Sequence, residues 1–144
     1  MRNLFSIAVL FVFIQPVFAA GEDPYIQTVK EMYKLGAKSQ DGMTIIERYS
    51  DSSLKQAFNL HAKNGEVCGF GQDVMWQSQD PNYNRPVNFS KISQNKVKAV
   101  LGQSRNQKAD TVVYTLKCSG TNCKVSDVQD SSGSLKNNIL QDCK

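Results

Sequence analysis

The chain has 144 residues with 17 Lys and Arg, 13 Asp and Glu, one His and four Cys, and its formal net charge is +4. The positive charges are scattered along the chain instead of concentrated in one stretch, so the charge pattern gives no indication of nucleic-acid binding. The length is enough for a single domain after an N-terminal leader and too short for two domains.

Residues 1–19 have the pattern of a secretory signal peptide. Arg2 provides a positive charge, residues 4–14 are almost entirely apolar, and Ala19 is a small residue suited to the cleavage point. The apolar run is shorter than the ~20 residues that a spanning helix needs, and no Cys for a lipid anchor follows it. The sequence therefore predicts export to the periplasm without an anchor, with residues 20–144 as the mature domain.

Three helices are predicted in the first half of the mature chain. Asp23 and Pro24 are typical of an N-cap followed by proline at the first helical position, and apolar residues recur at helical spacing up to Gly36. A second helix is predicted over residues 42–49 and a third over residues 51–63.

Residues 66–86 are irregular and contain two prolines and the single Trp, with a short strand expected at residues 74–77. Alternating apolar residues then predict an antiparallel meander with strands at 86–93, 96–104, 109–118 and 122–129, before a short helix over 135–141. Helices followed by an antiparallel sheet indicate an α+β domain with the helices on one face.

The four cysteines of an exported chain predict disulfide bonds. Cys118 and Cys123 flank a polar turn between two predicted strands, which favours a bridge across the hairpin and leaves Cys68 to pair with Cys143. Zinc binding is disfavoured because there is one His, the spacing is not C-x2-C, and the compartment is oxidising. No metal or cofactor is expected.

Several short sequence motifs resemble those of a known family. They are Tyr25 and Tyr33 in the first helices, the stretch 47–54 (ERYSDSSL), Gln79-Asp80 after Trp76, and 124–128 (KVSDV) followed by Gly133-Ser134-Leu135. Together they resemble the small exported NTF2-like (cystatin-like) proteins of Gram-negative bacteria, which are largely of unknown function. The resemblance implies a cone in which a curved sheet wraps a long helix and leaves a pocket at the open end. The four cysteines are not part of that family's signature.

Aromatic residues and an arginine in the irregular segment suggest a recognition surface. Trp76, Tyr83 and Arg85, with Asp80 nearby, are residue types that protein interfaces use as anchors, and in this role they would be partly exposed. The alternative is that Trp76 and Phe89 belong to the core and Tyr83 covers them.

A pocket is the second candidate site, with His61, Asp73 and Tyr114 at its mouth. His61 is the only histidine, so any mechanism that needs an imidazole must use it, but no G-x-S-x-G motif is present. Asp73 and Asp80 flank Trp76 and suit either Ca²⁺ or acid–base chemistry, although the D-x-D-x-D-G pattern is absent and turn capping explains both carboxylates.

Two functions are therefore expected. The first is a non-catalytic periplasmic inhibitor of the immunity type, which neutralises a toxin or hydrolase acting in the cell envelope. The second is a pocket protein that binds or converts a small molecule. The sequence predicts a protein partner in the periplasm for the first function and leaves the oligomeric state open.

Overall fold

The computed structural model describes residues 21–64 and 68–144, so the predicted signal peptide lies outside the described residues. The helices are α1 Pro24–Ser39, α2 Gly42–Tyr49, α3 Ser52–Asn64 and α4 Leu135–Asp142. The strands are β1 Val87–Ser93, β2 Lys96–Leu101, β3 Asp110–Ser119, β4 Asn122–Asp130 and β5 Gly133–Ser134.

Each helix begins where a polar side chain accepts a hydrogen bond from a backbone N–H of the first turn, which would otherwise have no partner. The pairs are Asp23 with Tyr25 N (2.9 Å), Asp41 with Thr44 N (2.9 Å), Asp51 with Leu54 N (3.0 Å) and Ser134 with Asn137 N (3.1 Å). These local contacts explain why the helix starts could be predicted.

Helix α1 continues past Gly36 to Ser39, whereas the sequence suggested an end at the glycine. A Cβ at Gly36 would lie 2.9 Å from Met75 Sδ and 3.4 Å from Trp76 Nε1. The glycine therefore serves close packing within the helix and not helix termination.

The five strands form one antiparallel sheet in the order β1-β2-β3-β4-β5. The first four confirm the predicted meander, whereas β5 was not predicted. Bulges interrupt the register between Lys91 and Ser93 and between Thr115 and Leu116. The side chains of one face are buried: Val97, Ala99, Leu101, Val112, Tyr114, Leu116, Val125 and Val128. This alternation is expected of a sheet that packs on one side only.

The helices cover that buried face. Helix α1 contacts β1 to β4, α2 contacts α1 and β4, and α3 and α4 contact β4 and each other. The link between α2 and α3 joins the sheet directly, because Asp51 N donates to Val125 O at 2.7 Å. The described residues thus form the predicted α+β arrangement.

Two details of the predicted strands are wrong. Residues 74–77 form a turn closed by Asp73 and Ser78, whose backbone groups exchange hydrogen bonds of 3.0 and 3.4 Å. Strand β2 ends at Leu101 instead of residue 104. Gly102 N still donates to Pro86 O at 2.7 Å, in register with the β1–β2 ladder, but Pro86 has no N–H to return the bond, so the pairing stops there.

Both disulfide predictions are confirmed. Cys118–Cys123 closes the β3–β4 hairpin, with Cα atoms 4.0 Å apart, and Cys68–Cys143 joins the segment after α3 to the end of α4. Among the residues described, no helix has the length and apolar character needed to cross a membrane.

Candidate functional site

Two adjoining cavities flank the segment 70–72, and we refer to them together as the 70–72 groove. The first has a volume of about 340 Å3, the second a volume of about 530 Å3, and both are lined by Phe70, Gly71, Gln72 and Gln79. The first also includes Asp130, Ser132, Leu135 and Asn138, and the second includes Gln40, Asp41, Met43, Asp73, Pro81 and Tyr83. The groove therefore runs from the beginning of α4 to the beginning of α2.

One end of the 70–72 segment is held against α4. Gly69 has a φ of +82°, and a Cβ at this position would lie 2.6 Å from Ile139 Cγ1 and 2.7 Å from its Cα. Only glycine combines this backbone conformation with so close an approach. The neighbouring disulfide Cys68–Cys143 fastens the same contact covalently.

Asp73 holds the other end. Its carboxylate accepts hydrogen bonds from Gly42 N at 2.8 Å and Trp76 N at 3.1 Å, and so joins the 73–78 turn to the start of α2. Burial raises the pKa of Asp73 above its usual value, although the backbone hydrogen bonds act in the opposite direction, and the nearby Asp41 raises it further. These contacts identify Asp73 as a structural carboxylate that also adds negative charge to the groove.

The groove is acidic. Among the lining residues that the structure describes, the carboxylates of Asp41, Asp73 and Asp130 are present and no Lys, Arg or His is. Asp130 keeps its position by accepting from Gln77 Nε2 at 2.9 Å and Ser132 N at 2.7 Å. The groove thus differs in sign from the chain as a whole, whose net charge is +4.

Amide side chains supply the groove with further hydrogen-bonding groups. Gln79 Nε2 donates to Gly71 O at 3.2 Å and Asn138 Nδ2 donates to Ser132 O at 3.3 Å, which leaves their carbonyl oxygens to accept. The side chain of Gln72 makes no hydrogen bond to the described residues. None of these amides was predicted as a site residue, although the Gly-Phe-Gly triplet at 69–71 signals an unusual backbone beside them.

The expectation that Trp76 is an exposed anchor is corrected by its burial. Only 2 % of Trp76 is exposed, and its ring makes edge contacts with Tyr33 and Tyr83 at centroid distances of 5.1 and 5.4 Å. The alternative stated from the sequence, with Trp76 in the core and Tyr83 against it, describes the structure.

Arg85 is also buried, with 4 % of its surface exposed. Its guanidinium donates to five neutral oxygens: Lys108 O (2.6 Å), Gly102 O (2.9 Å), Gln107 Oε1 (3.3 Å), Trp76 O (3.4 Å) and Leu101 O (3.5 Å). These bonds tie the irregular segment to the β2–β3 connection. Arg85 is therefore a structural residue and not a surface anchor.

Tyr83 and Asp80 are the two members of the predicted recognition set with accessible surface. Tyr83 is half-buried in the wall of the second cavity, donates to Gln40 O at 2.6 Å, and has its pKa raised by burial. Asp80 is exposed and lines neither cavity of the groove.

The three residues predicted at a pocket mouth are not brought together. Tyr114 is fully buried and donates to Tyr33 Oη at 3.1 Å, and burial raises the pKa of both phenols. His61 stacks on Phe70 with a centroid distance of 4.2 Å and donates through Nδ1 to Cys68 O at 2.7 Å. Among the described residues, His61 makes no hydrogen bond to a serine or a carboxylate. His61 is therefore not paired with a serine nucleophile or oriented by a carboxylate there.

Comparison of the chain with protein-family models, curated proteins and solved structures finds no match.

Proposed function

We propose that this protein is an exported, non-catalytic binding protein of the inhibitor or immunity type, which receives a basic segment of a partner protein in the 70–72 groove. The partner would be a toxin or hydrolase that acts in the cell envelope. The observation that carries the proposal is the acidic lining of a groove in a chain of positive net charge. Opposite charge favours a cationic occupant and speeds its association.

The rigidity of the groove supports a binding role. One end is fastened by the Cys68–Cys143 bridge and the other by hydrogen bonds to Asp73. Walls that are ordered before the partner arrives lose little conformational entropy on binding. A protein that must neutralise an enzyme stoichiometrically gains affinity from this kind of preorganisation.

We further propose membership of the NTF2-like (cystatin-like) class, with export directed by residues 1–19. The order of helices followed by a meander, together with the short motifs described above, supports the first statement. The two disulfides are compatible with an exported protein and support the second.

A small-molecule function is the second candidate. It is favoured by the first cavity, whose volume of about 340 Å3 lies within the range of ligand sites. Its amides and the Phe70 ring suit a small polar molecule. The residues available for this function are Gln72, Gln79 and Asn138, because Tyr114 is buried in the core.

The test compares two identical substitutions in the mature protein. Gln72→Arg places a cation and extra bulk at a side chain shared by both cavities, and Gln56→Arg makes the same change at an exposed position of α3 that lines neither. The partner is isolated by affinity capture from the envelope fraction and then titrated, as a purified protein, against each variant.

We expect Gln72→Arg to weaken partner binding at least tenfold, or about 1.4 kcal/mol, while Gln56→Arg leaves it unchanged. Binding by the unmodified protein should weaken as salt is raised, because the attraction is between charges.

Thermal melts establish that both variants are folded. Equal binding by the two folded variants, or binding that is insensitive to salt, would remove the groove from the recognition surface. The second candidate would be favoured if the protein alone binds a small polar molecule and Gln72→Arg, but not Gln56→Arg, weakens that binding.

A further inference from the structure

His61, Cys68 and Cys143 form a cluster whose possible ligand atoms all lie within 4.8 Å of one another. Nδ1 of His61 is 3.8 Å from Cys68 Sγ, and the Cα atoms of the two cysteines are 5.2 Å apart. In the oxidised protein the sulfurs are bonded to each other and cannot act as thiolate ligands. Reduction would therefore change the chemistry of the cluster.

We propose that reduction of Cys68–Cys143 converts this cluster into a binding site for a zinc-type divalent cation, with His61 and the two thiolates as ligands. This proposal does not rest on the proposed partner-binding function, although the same bridge fastens one end of the 70–72 groove. One imidazole with two thiolates is a ligand set that suits Zn²⁺.

The spacing of the ligands fits tetrahedral coordination. Bonds of about 2.3 Å to sulfur and about 2.0 Å to nitrogen place neighbouring ligand atoms about 3.5–3.8 Å apart. The His61–Cys68 pair is already close to this separation, at 3.8 Å. Only the Cys143 sulfur has to move away from its former partner, which rotation about its Cα–Cβ bond permits.

The surrounding contacts hold the ligands near one another after the bond is broken. Gly69 lies directly against Ile139 on α4, so the chain beside Cys68 stays close to the helix that precedes Cys143. The His61 ring is oriented by its stacking on Phe70. Ligands held in place in this way need little further ordering to bind a metal.

Reduction of the bond requires a two-electron donor, for which a dithiol is the biological class; in the experiment below a phosphine becomes its oxide, and water supplies the oxygen and the two protons. The two thiols of a dithiol transfer two electrons and two protons to the Cys68–Cys143 bond and become a disulfide, while the protein gains two thiols. Metal binding then displaces both thiol protons. His61 Nδ1 gives up its hydrogen bond to the Cys68 carbonyl, carries its proton on Nε2 instead, and uses the Nδ1 lone pair for the metal. The described residues offer no fourth ligand in this cluster, so water would complete the tetrahedron.

The experiment uses mature protein in which Cys118→Ser and Cys123→Ser remove the other disulfide, so that only the cluster cysteines remain. The protein is reduced with a phosphine, freed of reductant without oxygen, and titrated with Co²⁺, whose thiolate charge-transfer absorption reports sulfur ligation. Zn²⁺ is then added to displace the Co²⁺. The oxidised form of the same protein is titrated in parallel.

We expect one Co²⁺ per reduced chain, displacement by Zn²⁺, and no thiolate absorption from the oxidised form. His61→Phe retains a ring that can stack on Phe70 but has no ligand nitrogen, and it should weaken binding at least tenfold. Binding that His61→Phe leaves unchanged, or no binding by the reduced protein, would overturn the proposal.

Circular dichroism separates ligation from folding. If reduction unfolds the protein, Zn²⁺ should restore its far-ultraviolet spectrum, and it should restore that of His61→Phe only at a concentration at least tenfold higher. A spectrum that Zn²⁺ does not restore would likewise contradict a preformed site.

Discussion

Arg85 and Trp76 have the residue types of interface anchors but stabilise the protein interior. The Arg85 guanidinium donates to five neutral oxygens, one in the irregular segment and four between the end of β2 and Lys108. The Trp76 ring contacts both Tyr33 and Tyr83. A buried guanidinium is tolerated only when its donors are satisfied, and these carbonyl groups satisfy it. At the scale of single residues, burial and hydrogen bonding decide the role, and residue type alone does not.

Trp76→Ala should lower the free energy of unfolding by about 3–5 kcal/mol, because it removes a large buried side chain and leaves a cavity. Ile92→Ala is the control, since Ile92 is 48 % exposed and its truncation should change stability by less than about 0.5 kcal/mol. Urea unfolding of both variants measures the difference. A loss below about 1 kcal/mol for Trp76→Ala would contradict its assignment to the core.

At the scale of elements, the contact between the 69–72 segment and α4 positions the wall of the groove. A comparison of two glycines with positive φ separates the stability cost of disturbing this contact from the cost of backbone strain. Gly69 has a φ of +82° and faces Ile139, whereas Gly120, in the β3–β4 turn, has a φ of +60° and nothing within 4 Å of a Cβ.

Gly120→Ala should cost about 1–2 kcal/mol for the left-handed conformation alone. Gly69→Ala should cost at least about 1 kcal/mol more, because its methyl group must also displace α4, and overpacking typically costs this much. Thermal and urea unfolding of both variants measure the two costs. Equal losses would show that the segment moves away from α4 without penalty.

At the scale of the whole molecule, the two disulfides close loops of very different length. Cys68 and Cys143 are 75 residues apart, and Cys118 and Cys123 are 5 apart. The longer bridge restricts the unfolded chain far more, because it joins the middle of the chain to its end.

Replacing Cys68 and Cys143 by Ala should therefore destabilise the mature protein by about 4.5 kcal/mol, and replacing Cys118 and Cys123 by about 2 kcal/mol, in the chain-entropy treatment. Urea unfolding of the two double variants measures both losses under identical conditions. The reverse order would mean that native contacts around the hairpin, and not loop length, determine the contribution of each bridge.

The amino-acid sequence by itself determined the four helices, the first four strands and the bridges, but not every end of these elements. Asp23 and Asp41 cap helices through atoms no more than three residues away, and the alternation in β2 and β3 marks which side chains face the core. Cys118 and Cys123 pair across a short turn, which left a single partner for Cys68. Such signals are local, so they could be recognised without knowledge of the fold.

Only the tertiary structure decided which residues are available for binding. Trp76 is buried because Tyr33, 43 positions earlier in the chain, contacts its ring, and Arg85 is buried because its acceptors include Lys108, 23 positions later. The groove likewise combines Gln72 with Asp41 and Asp130, which come from three separate parts of the chain. Burial and charge at such places depend on contacts between distant segments, and no local pattern in the sequence records those contacts.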